Sequence, residues 1–156
     1  MADAEAGAFA LGSYEAPDPA DPDAERAIRE MVQKAGFESV PSGHGWRAVV
    51  PLEPDRRQAV YIGQAGTDAE GRVLIGLVSV CGPSNDRDTR TLLKLNARIV
   101  EGRFAIKTLM GEEYFVVIHN VTVASAHQLD APNLVRRIAE LADGLEDRLS
   151  RGQDLY

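Results

Sequence analysis

The sequence predicts a single α+β domain with a twisted antiparallel sheet and helices packed on it, in the order α-β-β-β-α-β-β-α. Three observations carry this expectation. Two segments, residues 21–35 and 131–149, repeat apolar residues at helical spacing. Five segments, residues 46–52, 57–63, 73–81, 104–109 and 114–121, alternate or are dense in β-branched and aromatic residues. Strands run in succession through hairpin-length connections, a pattern of α+β domains. A chain of 156 residues suits one domain and can bury roughly 70% of its unfolded surface without staples.

Residues 1–20 are rich in Ala, Asp, Glu, Gly and Pro and are expected to form a disordered acidic tail. Phe9, Leu11 and Tyr14 are its apolar exceptions and candidates for docking. The folded domain is expected over residues 21–150, with a short C-terminal tail at 151–156. Asp21 is a good N-cap, Pro22 suits the first helical position, and Asp23 and Glu25 favour the positive end of the helix dipole. Ala24, Ile28, Met31, Val32 and Ala35 give this helix one apolar face, and Gly36 is its stop. Residues 41–45 read as a loop.

The first strand places Trp46, Ala48, Val50 and Leu52 on one face. Pro54 and Asp55 turn the chain. The second strand sets Val60 and Ile62 against Tyr61 on the other side. The third, at 73–81, is apolar on both faces and must be covered on both or keep one for a partner. Residues 82–88 read as a turn-rich loop, and Asp88 as the cap of a helix bearing Leu92, Leu93 and Leu95. Gly102 marks the break before a hairpin, whose turn holds Gly111. The closing helix carries Leu134, Ile138, Leu141, Leu145 and Leu149 in one stripe. Its arginines sit early and its acids late, against the helix dipole, so tertiary packing must hold it.

Charge is distributed unevenly. Seven of the 24 acids fall in residues 1–25, which hold no Lys or Arg; the remaining 17 face 17 Lys and Arg. A balanced body with no basic stripe argues against nucleic acid or an anionic membrane as partner. The longest nearly apolar run, at residues 73–82, is far short of the roughly 20 residues of a membrane span. The acidic N-terminus does not suit a signal peptide, and the single Cys81 favours a reducing compartment. A soluble cytoplasmic protein is expected.

No chemistry-bearing constellation emerges. Cys81, at the end of a hydrophobic strand, reads as a small buried hydrophobe with no His or Lys beside it in sequence. His119 reads as a satisfied sheet residue; His44 and His127 lie in loops. One cysteine and three scattered histidines lack metal-ligand spacing. The glycines at 63, 66 and 71 do not form a phosphate-cradling motif. Asn96, just after the leucines, is expected to close its helix or to bond the following loop. No catalytic residue, metal ligand or cofactor is assigned.

Residues 56–149 resemble the type III secretion chaperone-like group, including sensory-transduction regulators of the YbjN type. The strand VLIGLVSVCG with its polar loop carries the resemblance, as does Leu92-Leu93-x-x-Asn96 leading into Gly102-x-Phe104-x-Ile106. The returning strand and the closing helix with Leu141-Ala142-Asp143-Gly144-Leu145-Glu146 complete it. The resemblance implies a helix-sheet-helix domain, a homodimer, and binding of an extended client segment without a catalytic site. It also implies that Leu92, Leu95, Phe104 and Ile106 build the dimer interface.

The expected function is therefore a non-enzymatic homodimeric chaperone or adaptor for an extended segment of a protein partner. The alternative is a YbjN-type regulatory domain that binds a signalling partner or a small ligand. The row Val73, Ile75 and Leu77, ending in polar Ser79, is taken with Tyr61 as the outer, partner-binding face. Its cover is a client peptide, the other subunit or the closing helix.

Overall fold

The computed structural model describes residues 19–150. The expected tails, with Phe9, Leu11 and Tyr14, lie outside the described residues, apart from Pro19 and Ala20.

Helix α1 (Pro22–Ala35) starts and stops where its end signals predict. The Asp21 carboxylate accepts from the backbone N–H groups of Asp23 and Ala24, at 2.9 and 3.0 Å. Gly36 closes the helix at φ 75, where its N–H reaches the Val32 carbonyl. Strands β1 (Glu38–Ser42), β2 (Gly45–Leu52), β3 (Arg56–Thr67) and β4 (Val73–Pro83) then follow as antiparallel neighbours. Helix α2 (Asp86–Asn96) carries the chain past β6 to the edge strand β5 (Arg103–Leu109). Strand β6 (Glu112–Thr122) returns between β5 and β4, giving an open antiparallel sheet of order β1-β2-β3-β4-β6-β5. A single turn of helix, α3 (Val123–Ala126), precedes α4 (Ala131–Ser150).

Three elements differ from the sequence expectation. Strand β1 was not expected and overlaps the expected 41–45 loop at Pro41 and Ser42; its alternating burial is weak and Pro41 hides it. Helix α2 begins earlier: Asn85 is its N-cap, accepting from the Asp88 N–H at 2.8 Å, and Asp88 lies inside the first turn. Helix α3 is one turn long and too short to give a period; Thr122 caps it.

Helices α1 and α4 pack on one face of the sheet. Ala48, Val50, Val60, Ile62, Ile75, Leu77, Cys81, Phe115 and Val117 form the sheet side of this core. Ile28 and Met31 meet them from α1, and Leu134, Val135, Ile138 and Leu145 from α4. The register fixes which β4 row faces the helices: Ile62 pairs with Leu77, and Ile75 with Val121.

This corrects the expected outer face. Ile75 and Leu77 are fully buried beneath the helices, and Val73 is half-buried at the strand's start. Tyr61 pairs with Val78 and points to the other side. The four residues do not share a face. Ser79, whose polarity suggested solvent, is fully buried: its hydroxyl accepts from Gln58 Nε2 at 2.9 Å and donates to the Ala59 carbonyl at 2.6 Å. A hydroxyl satisfied in this way costs little to bury.

The late acids of α4 also find their reason. The Arg56 guanidinium bridges Asp143 at 2.7 Å and Asp147 at 2.9 Å, tying the start of β3 to the far end of α4. Nearby, Gly102 adopts φ 79, and a Cβ there would meet Ile138 Cδ1 at 2.9 Å and Val117 Cγ1 at 3.2 Å. Only glycine lets the chain turn this close to α4.

A charge at position 75 would be buried unpaired at a cost of several kcal/mol. Ile75→Asp is therefore expected to give an unfolded chain by circular dichroism without denaturant. A folded Ile75→Asp protein would contradict the register of β4.

Candidate functional site

The face turned away from α1 and α4 carries a single cross-strand row through all six strands. Val40 pairs with Arg47, Arg47 with Tyr61, Tyr61 with Val78, Val78 with Ile118, and Ile118 with Arg103. The row is apolar or aromatic in its middle and has an arginine on each side. Arg47 Nε donates to the Tyr61 hydroxyl at 3.3 Å, which links the two side chains across the strands. Val80 and Val116, also paired, extend the apolar surface beside this row. None of these residues belongs to the core cluster under the helices. Burial grades across the face, from 49% exposed at Val40 to 3% at Val78 and 0% at Val116. Lys107, paired with Tyr114 on the same face, has its ammonium pKa lowered by desolvation.

The β5 edge has a different character. The Asn96 side chain sits beside Phe104 like one residue of a neighbouring strand. Its Oδ1 accepts from the Phe104 N–H at 2.7 Å, and its Nδ2 donates to the Phe104 carbonyl at 2.9 Å. Of the residues implied as dimer interface, Leu92 is turned into the core at 3% exposed. Leu95 and Phe104 are partly buried against that core, and Ile106 is 40% exposed. Leu93, in the same helix, and Val100 and Met110, before and after β5, are further exposed large apolar side chains. Sequence reasoning grouped Leu93 with Leu92 and Leu95 and missed Val100 and Met110; helical phase separates Leu93 from Leu92 once the helix start is known.

The titratable candidates are accounted for locally. Cys81 is buried, and burial pushes its thiol pKa far up, with Glu146 adding to the shift. This is the opposite of what a nucleophile needs. His119 Nδ1 accepts from the Gly102 N–H at 3.0 Å. Its pKa is lowered by desolvation; Glu101 opposes that shift and Arg103 adds to it. Among the described residues no group of three or more His, Cys, Asp or Glu could hold a metal ion. No described helix is long and apolar enough to cross a membrane.

One cleft opens on the helix side, between the β2–β3 turn and α4. Its volume is about 780 Å³, and Pro51, Leu52, Arg57, Arg136 and Glu140 line it together with the Arg56–Asp143 pair. Glu146 lies just beyond. Its carboxyl pKa is raised by desolvation and by Asp143, against the pull of Arg56.

The His119–Gly102 bond gives a pH prediction. An accepting Nδ1 must be unprotonated, so the folded state resists the proton that the unfolded chain takes near pH 6.5. The stability from this group is present above that value and is lost as pH falls through the lower folded pKa. His119→Leu should lose about 1 kcal/mol at pH 7.5 and show a flatter decline on acidification, read by urea unfolding at a series of pH values. An unchanged acid limb would remove His119 from this role.

No family model matches the chain, and no curated protein matches its sequence. Among the solved structures that match, two are described. One is the Yersinia pestis type III secretion chaperone SycH in complex with a stable fragment of YscM2, at 10% identity and a TM-score of 0.46, covering 78% of this chain and 98% of that one. The other is the HopA1-SchA chaperone-effector complex, at 15% identity and a TM-score of 0.49, covering 83% of this chain and 99% of that one.

Proposed function

We propose that this chain is a non-enzymatic, chaperone-like adaptor that holds an extended segment of a partner protein on the sheet face opposite its helices. The observation that carries this reading is the Val40–Arg47–Tyr61–Val78–Ile118–Arg103 row. It is an apolar strip outside the helix-packed core, flanked by charges that can orient a bound chain. An extended segment laid across it would place alternate side chains on the strip. The buried thiol of Cys81 and the locally bonded His119 fit a protein that binds without catalysing. The partner site is thereby moved from the Val73, Ile75 and Leu77 row to the row through Tyr61. Unpaired Cys81 suits the reducing cytoplasm.

The adaptor works as a homodimer in this proposal. Leu93 at 65%, Val100 at 93% and Met110 at 72% exposed, together with Ile106 at 40%, would supply apolar contact along α2 and β5, while Leu92, Leu95 and Phe104 pack toward the core. Light scattering of the full chain at micromolar concentration should report about twice 16.9 kDa, and Leu93→Glu with Met110→Glu should return it to the monomer mass. A monomer in the unsubstituted chain would refute the dimer.

Binding is tested with a displayed library of unstructured peptides. Peptides selected on the full chain should lose at least tenfold in affinity for Ile118→Asp with Val80→Asp, a variant whose folding is checked by circular dichroism. Affinity that survives in the folded variant would move the site off this face. If that variant does not fold, Tyr61→Ala supplies the same comparison.

The alternative of a YbjN-type regulatory domain draws on the cleft beside Arg56. Its volume falls within the range of small-molecule sites, and Arg57 and Arg136 could meet an anionic group there. Loss of a ligand's thermal shift on Arg136→Ala, with peptide binding unaffected, would favour that alternative.

A further inference from the structure

The connector from α2 to β5, residues 99–102, is tied to the fold through its last two residues. The Gly102 N–H donates to His119 Nδ1 on β6 at 3.0 Å. The Arg137 guanidinium on α4 meets the Glu101 carboxylate, at 2.8 Å for Oε1 and 2.9 Å for Oε2. Val100, directly before them, is 93% exposed. We propose that His119 is a proton-gated latch, whose protonation frees the 99–102 connector while the sheet and helices stay folded.

The first tie depends on the charge of the ring. A neutral imidazole has one accepting nitrogen and an imidazolium has none. With Nδ1 accepting, the ring proton sits on Nε2. A second proton must enter at Nδ1, where it faces the Gly102 N–H. Two donors cannot share that gap, so the bond breaks. Gly102 cannot follow the ring inward. A Cβ there would meet Ile138 Cδ1 at 2.9 Å, so the backbone already lies against α4 and its free direction is outward.

The second tie weakens with the first. Of the charges acting on His119, Glu101 favours protonation and Arg103 opposes it. An imidazolium therefore competes with Arg137 for the Glu101 carboxylate. Among the neighbouring elements, β4 sets Leu77 opposite His119, and α3 holds no charged residue. Lys94 and Arg98, at the end of α2, are exposed. The opening stops at Asn96, whose clasp on Phe104 through Oδ1 and Nδ2 contains no titrating group.

Burial lowers the His119 pKa, so the latch is shut at the ordinary imidazole value of roughly 6.5 and opens as pH falls below it. The latch stands apart from the dimer reading. Its consequence, that acid loosens an association to which Val100 contributes, rests on that reading.

The test is an NMR titration of the dilute full chain from pH 8 to pH 4, with 15N in the backbone and the histidine rings. At pH 8 the His119 ring should be the Nε2–H tautomer. As it protonates, the exchange protection of the Gly102 amide, corrected for its intrinsic rate, should fall about tenfold or more, while Val116 and Val117 keep theirs. Arg103→Ala, which removes the opposing cation, should move this transition to higher pH. His119→Asn, whose side-chain oxygen can accept without titrating, should keep Gly102 protected throughout. An Nδ1–H tautomer at pH 8 would overturn the proposal. So would Gly102 protection that ignores His119 protonation, or protection lost at Val116 and Val117 in the same step. The same fall in a folded His119→Asn chain would assign the transition to another group and overturn it equally. A monomer mass at pH 8 with the Gly102 transition intact would sink the dimer reading and leave the latch in place.

Discussion

Strand β4 is apolar on both faces, and a strand of that kind must be covered on both. Everything around it answers that requirement. On one side Ile75, Leu77 and Cys81 lie under α4 and the sheet core. On the other, Val78 and Val80 meet Ile118 and Val116 across β6. The central position of β4, between β3 and β6, follows from the same need, since an edge strand this hydrophobic would recruit other chains. The helix side is closed by covalently continuous elements whose stripes match it. The outer side is closed, among the described residues, only by its own cross-strand neighbours, and the functional reading begins there.

The helix side was legible in the sequence because its signals are redundant. Asp21, Pro22 and Gly36 bracket α1, and the leucine stripe of α4 points to one face over five turns. Strands β2 and β3 reveal their inward rows because the alternate positions are polar, as Arg47 and Arg57 are. Strand β4 offers no such contrast. Its two rows are equally apolar, so a single polar residue, Ser79, decided the assignment and decided it wrongly. Ser79 is polar because Gln58 and the Ala59 carbonyl need a partner inside the core. Parity in a strand of this kind is set by pairing, through Ile62 with Leu77, and pairing is a long-range fact that one strand's sequence does not contain.

The α4 charges teach the complementary lesson. Read locally, acids in the last turns oppose the helix dipole. In the fold, Asp143 and Asp147 are held by Arg56, almost ninety residues earlier in the chain. A partly buried guanidinium with two carboxylates outweighs a terminal dipole effect of about 0.3–1 kcal/mol. The local conflict marked a tertiary contact, as the sequence implied in assigning α4 to packing, but the partner was invisible until β3 was placed against the helix.

The sheet's two edges narrow what remains for a partner. Strand β1 is five residues long and contains Pro41, which lacks a donor for strand pairing. Strand β5 is longer, but Asn96 occupies both outward backbone groups of Phe104 and breaks the ladder that an incoming strand would need. An added strand at either edge would therefore find few consecutive backbone partners. Side-chain contact is still open there, through Leu93, Ile106 and Met110, which suits association of two copies without strand exchange. In the proposed reading, recognition of an extended chain falls to the outer face, where the row from Val40 to Arg103 offers six residues in line and backbone pairing is already complete. Binding on such a face draws on apolar contact and on the two arginines.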